Sequence, residues 1–330
     1  MKSDINIPLI SAVMIVYNGG LFIEMAIDSI LRQTYSNFEL LVLNDGSTDE
    51  TEQIVKKISK GDERIKYSKN DINKGLAFAR NQIINLAKGK YVVVTDADDI
   101  SLPHRFETQL NFLNKNPDTH IIGSTVILID EKGREYGNWD YPLTNNEIKK
   151  ELKNACVIAN PSCMFRKEVF DKIRGYNEGL VICEDWDFFY RASLIFNLSN
   201  IKESLIKYRV HNNNMSKNRL DETIVYSVYL SNNLPAVSLS FSLKKLVLTY
   251  PFVVEEVNQK IIKFYSFWIG THSKLKHTKL SEELYYYVYK ELGTILSSAL
   301  KKEFLKKCAI IFFKNGNIKM TFNIITTLIK

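Results

Sequence analysis

With 330 residues, 45% hydrophobic and 25% charged, the chain has an ordinary globular composition and length for one large domain plus a smaller one. That excludes a disordered, collagenous or disulfide-stapled chain; the four cysteines, Cys156, Cys163, Cys183 and Cys308, lack metal-ligand spacing and read as buried thiols of a reducing compartment. The net charge of +7 resides wholly in residues 221–330, where fifteen lysines face eight acids, while residues 1–220 hold 29 of each sign.

The first residues, Met1-Lys2-Ser3-Asp4, carry an early acid and lead into a strand, unlike a signal peptide. No apolar run reaches the roughly 18 residues a spanning helix needs, so a cytoplasmic chain is the expectation. Leu9 to Val16 is apolar and of strand length, ending at Tyr17-Asn18-Gly19-Gly20. An amphipathic helix through Met25, Ala26, Ile30 and Leu31 follows. The pair repeats: Phe38 to Leu43 is a strand, Asn44-Asp45-Gly46-Ser47-Thr48 a turn with Ser47 or Thr48 as helix cap, and Ile54, Val55 and Ile58 mark a helix. A third unit runs from Ile65-Lys66-Tyr67 into a helix from Leu76 to Ala87, and Tyr91 to Thr95 is a fourth strand. Apolar strands alternating with helices predict a mostly parallel sheet covered on both faces.

In such sheets ligands sit at the carboxyl ends of the strands. Tyr17-Asn18, Asp45, Asn73-Lys74-Gly75 and Asp96-Ala97-Asp98-Asp99 all fall there. Neither a G-x-G-x-x-G turn nor a G-x-x-x-x-G-K-[ST] loop is present. Beyond Pro103, a helix through Phe106, Leu110 and Leu113 leads to a strand from Ile121 to Ile129 and a hairpin turn at Glu131-Lys132-Gly133-Arg134. Ser162 to Phe165 is another short strand. Glu184-Asp185 then opens an aromatic helix, Trp186 to Ile195. From about Asp221 the chain is helical, Tyr- and Lys-rich, broken at Pro235 and Pro251. These patterns divide it into residues 1–220 and 221–330.

Three carboxylates within Asp96 to Asp99 repel one another unless a cation neutralises them. Mg²⁺ or Mn²⁺, which favours one or two carboxylates together with phosphate oxygens, suits the cluster; a solvated acidic loop is the plainer alternative. Asp45 can accept a hydrogen bond from a base or ribose, or simply belong to a helix-entry turn. Arg80 reads as a diphosphate contact or an exposed helix cation. Glu184-Asp185 fits a helix amino terminus rich in acids as well as a chemical role. His211 can support the fold or bind metal.

In this order the motifs resemble glycosyltransferase family 2 over about residues 8–216. They are Val16-Tyr17-Asn18, Ser29-Ile30-Leu31-Arg32-Gln33-Thr34-Tyr35, Asn44-Asp45-Gly46-Ser47-Thr48-Asp49, Asn73-Lys74-Gly75 with Ala79-Arg80-Asn81, Asp96-Ala97-Asp98-Asp99, Gly175-Tyr176, Glu184-Asp185 and Tyr208-Arg209-x-His211. The resemblance implies a GT-A fold, a Rossmann-like α/β sheet with helices on both faces, here followed by a helical C-terminal region. It implies a metal-dependent, inverting transfer from a nucleotide sugar, usually a UDP-sugar, to a hydroxyl of a glycan or lipid-linked acceptor, in surface polysaccharide synthesis. Tyr17, Asn18, Asp45, Gly75, Arg80 and Asp96 would line the donor site, with Asp45 on the base and Asp96 on the ribose or a metal-bound water. Asp98 would hold the metal, joined by His211 in some members. Asp185 would be the catalytic base, with Glu184 and Trp186 on the acceptor side. Asn44 departs from the second Asp common in the family.

Two rivals stand beside this reading. A sugar-phosphate nucleotidyltransferase wants a Gly-rich, Arg-containing loop after the first strand, which Asn18-Gly19-Gly20 does not supply. A catalytically silent sugar-binding protein has no need of every carboxylate. No nucleic-acid partner is expected. In residues 300–313, Leu300, Phe304, Cys308, Ile311 and Phe312 recur at helical spacing beside Lys301, Lys302, Lys306 and Lys307. That pattern predicts a peripheral contact with an anionic membrane surface, or a helix packed with its lysines in water.

Overall fold

The computed structural model describes residues 9–211, 214, 219–232, 234, 242–249, 251–274, 282, 285, 296 and 298–329. The chain divides into two units, Met1–Val210 and His211–Lys330. The boundary read in the sequence at 220 falls at the start of the helix Leu220–Asn232, the first among the described residues of the second unit.

The first unit runs β1 (Ile10–Val16), α1 (Ile23–Leu31), β2 (Phe38–Asp45), α2 (Thr51–Ser59), β3 (Ile65–Asn70), α3 (Leu76–Leu86) and β4 (Tyr91–Asp96). It continues through β5 (Ile100–Ser101), α4 (Arg105–Lys115), β6 (Thr119–Ile129), β7 (Glu135–Trp139) and α5 (Asn145–Glu151). The last elements are β8 (Met164–Arg166), α6 (Glu168–Ile173), α7 (Glu184–Ser193) and β9 (Asn197–Arg209). Among the described residues the nine strands form one sheet in the order β3-β2-β1-β4-β8-β6-β9-β5, with β7 paired to β6. The four strands expected to be parallel are so. β8 is antiparallel to both neighbours, so it marks a change of direction next to β4.

Apolar content on both faces suits β1, β2 and β4, each of which is flanked by a strand on either side. Ile10, Ala12, Met14 and Val16 share one core with α1 residues Ile23, Ala26, Ile27 and Ile30, and with Phe106, Leu110 and Leu113 of α4. The alternate residues of β1 and β2 face the other way, where α3 packs on both strands. Each large side chain so buried contributes roughly 1.5–3 kcal/mol relative to exposure. The turn at Glu131-Lys132-Gly133-Arg134 does join the antiparallel pair β6 and β7.

The expected helix cap moves. Neither Ser47 nor Thr48 caps α2, which starts at Thr51. Ser47 Oγ accepts the Asn18 N–H at 2.9 Å, and Asn18 Oδ1 takes the Thr48 N–H at 2.9 Å, so both residues tie the loop to its neighbour. Asp49 instead receives the Thr51 N–H at 3.1 Å.

The second unit contains α8 (Leu220–Asn232), α9 (Leu243–Thr249), α10 (Val254–Lys274), α11 (Ser298–Lys314) and α12 (Ile318–Ile329). Pro251 opens a short 3-10 turn before α10, and Pro235 lies outside the described residues. α10 packs against α8 and α11, and α11 against α12. Of the two readings of the apolar stripe in residues 300–313, the structure has the packed helix with its lysines outward: Leu300, Phe304, Cys308 and Phe312 are buried, Ile311 is half-buried, and Lys302, Lys306 and Lys307 are exposed. Phe304 stacks on Tyr285, and Phe312 meets the same ring edge-on. A stripe that wide finds more apolar surface within the unit than a solvent-facing helix could give it. No helix among the described residues is long and apolar enough to cross a membrane.

Candidate active site

The loops after β1 and β2 are fastened together. Besides the Asn18 bonds, the Gly19 N–H donates to Thr51 Oγ1 and the Gly20 N–H to Asp49 Oδ2, each at 3.0 Å. Asn18 adopts a left-handed φ of 51°, which its short amide tolerates. Tyr17 beside it is exposed. At Gly46, φ is +78° and a Cβ would lie 2.5 Å from the Ile72 backbone, so only glycine lets the two loops touch.

Asp45 is buried at the end of β2. One oxygen accepts from Asn70 Nδ2 at 2.7 Å, and the pair accepts the Lys74 and Gly75 N–H groups at 3.1–3.2 Å. The carboxylate thus holds the amino end of α3, where Gly75 is the N-cap with φ 90°.

Arg80, a turn into α3, is buried rather than exposed. Its Nη1 pairs with Glu184 of α7, its Nη2 lies 3.6 Å from Asp96 Oδ1, and the guanidinium rests 5.3 Å from the Tyr176 ring. Tyr176 is fixed in turn by Asn81, whose Oδ1 accepts its N–H at 2.8 Å and whose Nδ2 donates to its carbonyl at 2.9 Å. One guanidinium therefore spans the end of β4 and the start of α7.

Asp96, Asp98 and Asp99 place carboxylate oxygens within 4.8 Å of one another. Desolvation pushes Asp96 up to about 6 against the pull of Arg80, with Asp98 and Asp185 adding to the rise. Asp99 is raised well above the usual range by burial and then by Asp98 and Asp96. Its Oδ1 accepts the Arg209 N–H at 2.8 Å, while Oδ2 is buried with no hydrogen-bond partner among the described residues. Crowded carboxylates with a buried unpaired oxygen suit a hard divalent cation.

Two arginines back this loop, and neither was given a role from the sequence. Arg105 is fully buried, with Nη2 donating to the Val94 carbonyl at 2.9 Å and Nη1 to Ser101 Oγ at 2.9 Å. Burial pushes it down to about 10, opposed by Cys163, Asp99 and Asp96. Its signal was readable: Arg105 and Gln109, four apart, share the buried face of α4 with Phe106, Leu110 and Leu113. Arg209 at the end of β9 donates from Nε to the Asp98 carbonyl at 2.8 Å. Its Nη1 reaches the Asp130 and Glu131 carbonyls at 2.9 and 3.1 Å.

At the start of α7 the two acids part. Glu184 is buried against Arg80; burial pushes it up to about 7, and Arg80 opposes. Asp185 is half-buried, and its Oδ1 accepts the Trp186 N–H at 2.7 Å. Trp186 does not offer its ring on an open acceptor side. The next helical step of about 100° turns it inward, where it is buried and Nε1 donates to the Leu152 carbonyl at 2.6 Å. His211 is the first residue of the second unit, and its N–H donates to Asn214 Oδ1 at 2.5 Å.

Similarity to known proteins identifies the family and the fold. Glycosyl transferase family 2 matches residues 11–174. An uncharacterized glycosyltransferase of Methanocaldococcus jannaschii is 34% identical over 235 residues, covering 69% of this chain and 80% of its own. The O-antigen biosynthesis glycosyltransferase WbnJ of Escherichia coli is 35% identical over 219 residues, 64% of this chain and 84% of its own. Among solved structures, S. aureus TarS 1-349 in complex with UDP-GlcNAc superposes with a TM-score of 0.58 at 16% identity, covering 96% of this chain and 90% of that one. The mannosyltransferase PcManGT of Pyrobaculum calidifontis, in complex with GDP-Man and Mn2+, gives 0.56 at 13% identity, covering 92% and 86%. The fold is therefore of the GT-A kind, and the chain belongs to glycosyltransferase family 2 and is a glycosyltransferase.

Proposed function

We propose that the enzyme moves a sugar, with inversion, from a nucleoside-diphosphate sugar to a hydroxyl of a glycan or lipid-linked acceptor, in surface polysaccharide assembly. The donor is taken to be a UDP-sugar. Support comes from the UDP-GlcNAc and GDP-Man complexes of the structural neighbours and from the O-antigen role in the name of WbnJ. The observation that carries the reading is the gathering of Asp96, Asp98 and Asp99 at the end of β4, with an unpaired buried oxygen on Asp99.

Asp96, Asp98 and Asp99 fit Mg²⁺ or Mn²⁺, with Asp98 as the principal ligand. When bound, the ion supplies Lewis-acid neutralisation of the departing diphosphate. Arg80 places a fixed positive charge beside Asp96, on the donor side. Tyr17, Asn18 and Gly75 shape the mouth for the base and ribose, and Asp45 fixes that mouth while offering oxygen lone pairs to the base. Asp185 takes the proton of the acceptor hydroxyl as it attacks the anomeric carbon, because of the three carboxylates on α7 Glu184 is held in the Arg80 ion pair and Asp187 in one with Arg191, which leaves Asp185 half-buried and outside both. Trp186 braces the wall behind it through Leu152. The same reading puts the enzyme on the cytoplasmic side of a membrane, held peripherally by the second unit.

Asp98→Ala tests the metal. Release of nucleoside diphosphate from UDP- and GDP-sugars would be followed across Mg²⁺ and Mn²⁺ titrations. Turnover should vanish in the variant and in chelator, with thermal stability nearly unchanged, because a half-exposed loop carboxylate contributes little to folding. Full turnover of the native enzyme in chelator would refute metal dependence.

A further inference from the structure

The inward turn of Leu300, Phe304, Cys308 and Phe312 leaves a different set of apolar side chains outside. Ile310 and Phe313 of α11, with Ile318, Phe322 and Ile325 of α12, are 43–73% exposed. Their spacing places each set on one helix face: 310 and 313 are one turn apart, and 318, 322 and 325 follow at four and three. Gly316, with φ 77°, turns the chain between the helices, and its N–H donates to the Phe313 carbonyl at 3.0 Å. Five large apolar residues thus lie outside within sixteen positions around one tight turn.

Charge accompanies them. Residues 301–330 contain seven lysines and one glutamate, and Lys302, Lys306, Lys307, Lys314 and Lys319 are exposed. On α11 the exposed lysines and the exposed Ile310 and Phe313 occupy one half of the helix, while Phe304, Leu305, Cys308 and Phe312 occupy the other.

We infer that the hairpin α11–α12 lies on an anionic lipid surface, inserting Ile310, Phe313, Ile318, Phe322 and Ile325 between headgroups that its lysines attract. Apolar insertion flanked by basic side chains is the chemistry of an interfacial helix, and no described helix offers a span instead. A second copy of the chain is a poorer occupant, because two such faces would oppose lysine to lysine. The inference rests on the peripheral reading above and is independent of how the sugar is transferred.

Flotation of the full chain with phosphatidylcholine vesicles, with and without phosphatidylglycerol, provides the test. The native protein should float with the anionic vesicles, much less with the neutral ones, and less again in high salt. The double variant Phe313→Ser with Phe322→Ser should lose binding by about tenfold or more, since two aromatic insertions are removed. Leu194→Ser, an exposed apolar residue of the first unit, should float like the native chain. Both changed phenylalanines are exposed, so circular dichroism and the unfolding midpoint should match the native protein. Absence of flotation, equal flotation on neutral lipid, or a double variant that floats normally would each overturn the inference. So would a native dimer in light scattering that the double variant dissolves. Donor hydrolysis by the same preparations reports separately on catalysis and should be unchanged.

Discussion

Glu184 and Asp185 are consecutive carboxylates with opposite surroundings, and that difference separates their roles. Glu184 is locked to Arg80 in a buried pair, so replacing it strands a guanidinium whose remaining acid, Asp96, is 3.6 Å away. Asp185 meets only the Trp186 N–H among the bonds described above and keeps its carboxylate half-buried. Asp185→Asn should retain donor binding and lose roughly 10²–10⁴ in kcat, the size of a general-base contribution. Glu184→Gln should cost about 3 kcal/mol of stability, as expected when one member of a buried ion pair is removed. Steady-state kinetics and chemical unfolding of both variants decide. A stable Glu184→Gln without activity, beside an active Asp185→Asn, would reverse the assignment.

At the level of elements, legibility in the sequence followed the environment of each strand. β1, β2 and β4 were plain because burial on both faces demands unbroken apolar runs. β9 was not recognised. Its thirteen residues include Lys202 and Glu203, and its register against β6 shifts near Ser124 and Thr125, so no period of two survives. α5 was also missed although Thr144 and Glu147 form a capping box, a signal open to reading. The acids at the strand ends were legible for the same reason as the strands. Arg209 was not, because its main partners are carbonyls of distant segments, brought near only by folding.

Arg209 shows what such a partner set does. It joins the end of β9 to the carbonyl of Asp98 and to the turn between β6 and β7. Arg209→Met keeps much of the apolar stem but leaves three carbonyls short of a donor. Stability should fall by about 3 kcal/mol, and Mn²⁺ affinity should weaken because the acidic loop loses its anchor. Urea unfolding together with metal titration separates the effects. Unchanged metal affinity in a destabilised variant would confine Arg209 to a structural role.

For the whole molecule, the match to the family lies entirely within the first unit, and the second unit carries the charge. Met1–Val210 holds 27 bases and 29 acids, so the excess of positive charge belongs to His211–Lys330. Sugar nucleotides are anions, and their diffusional encounter with a protein follows its long-range field. That field decays over roughly 10 Å at 0.1 M salt. Donor capture by the full chain should therefore slow as ionic strength rises, seen as a falling kcat/KM for donor hydrolysis with kcat constant. Replacing Lys302, Lys306 and Lys314 by Gln should flatten that dependence without altering kcat, while a kcat/KM indifferent to salt in the native enzyme would show that the far field plays no part. A catalytic unit slightly negative by itself would then owe the speed of its first encounter with substrate to lysines that belong to the other unit.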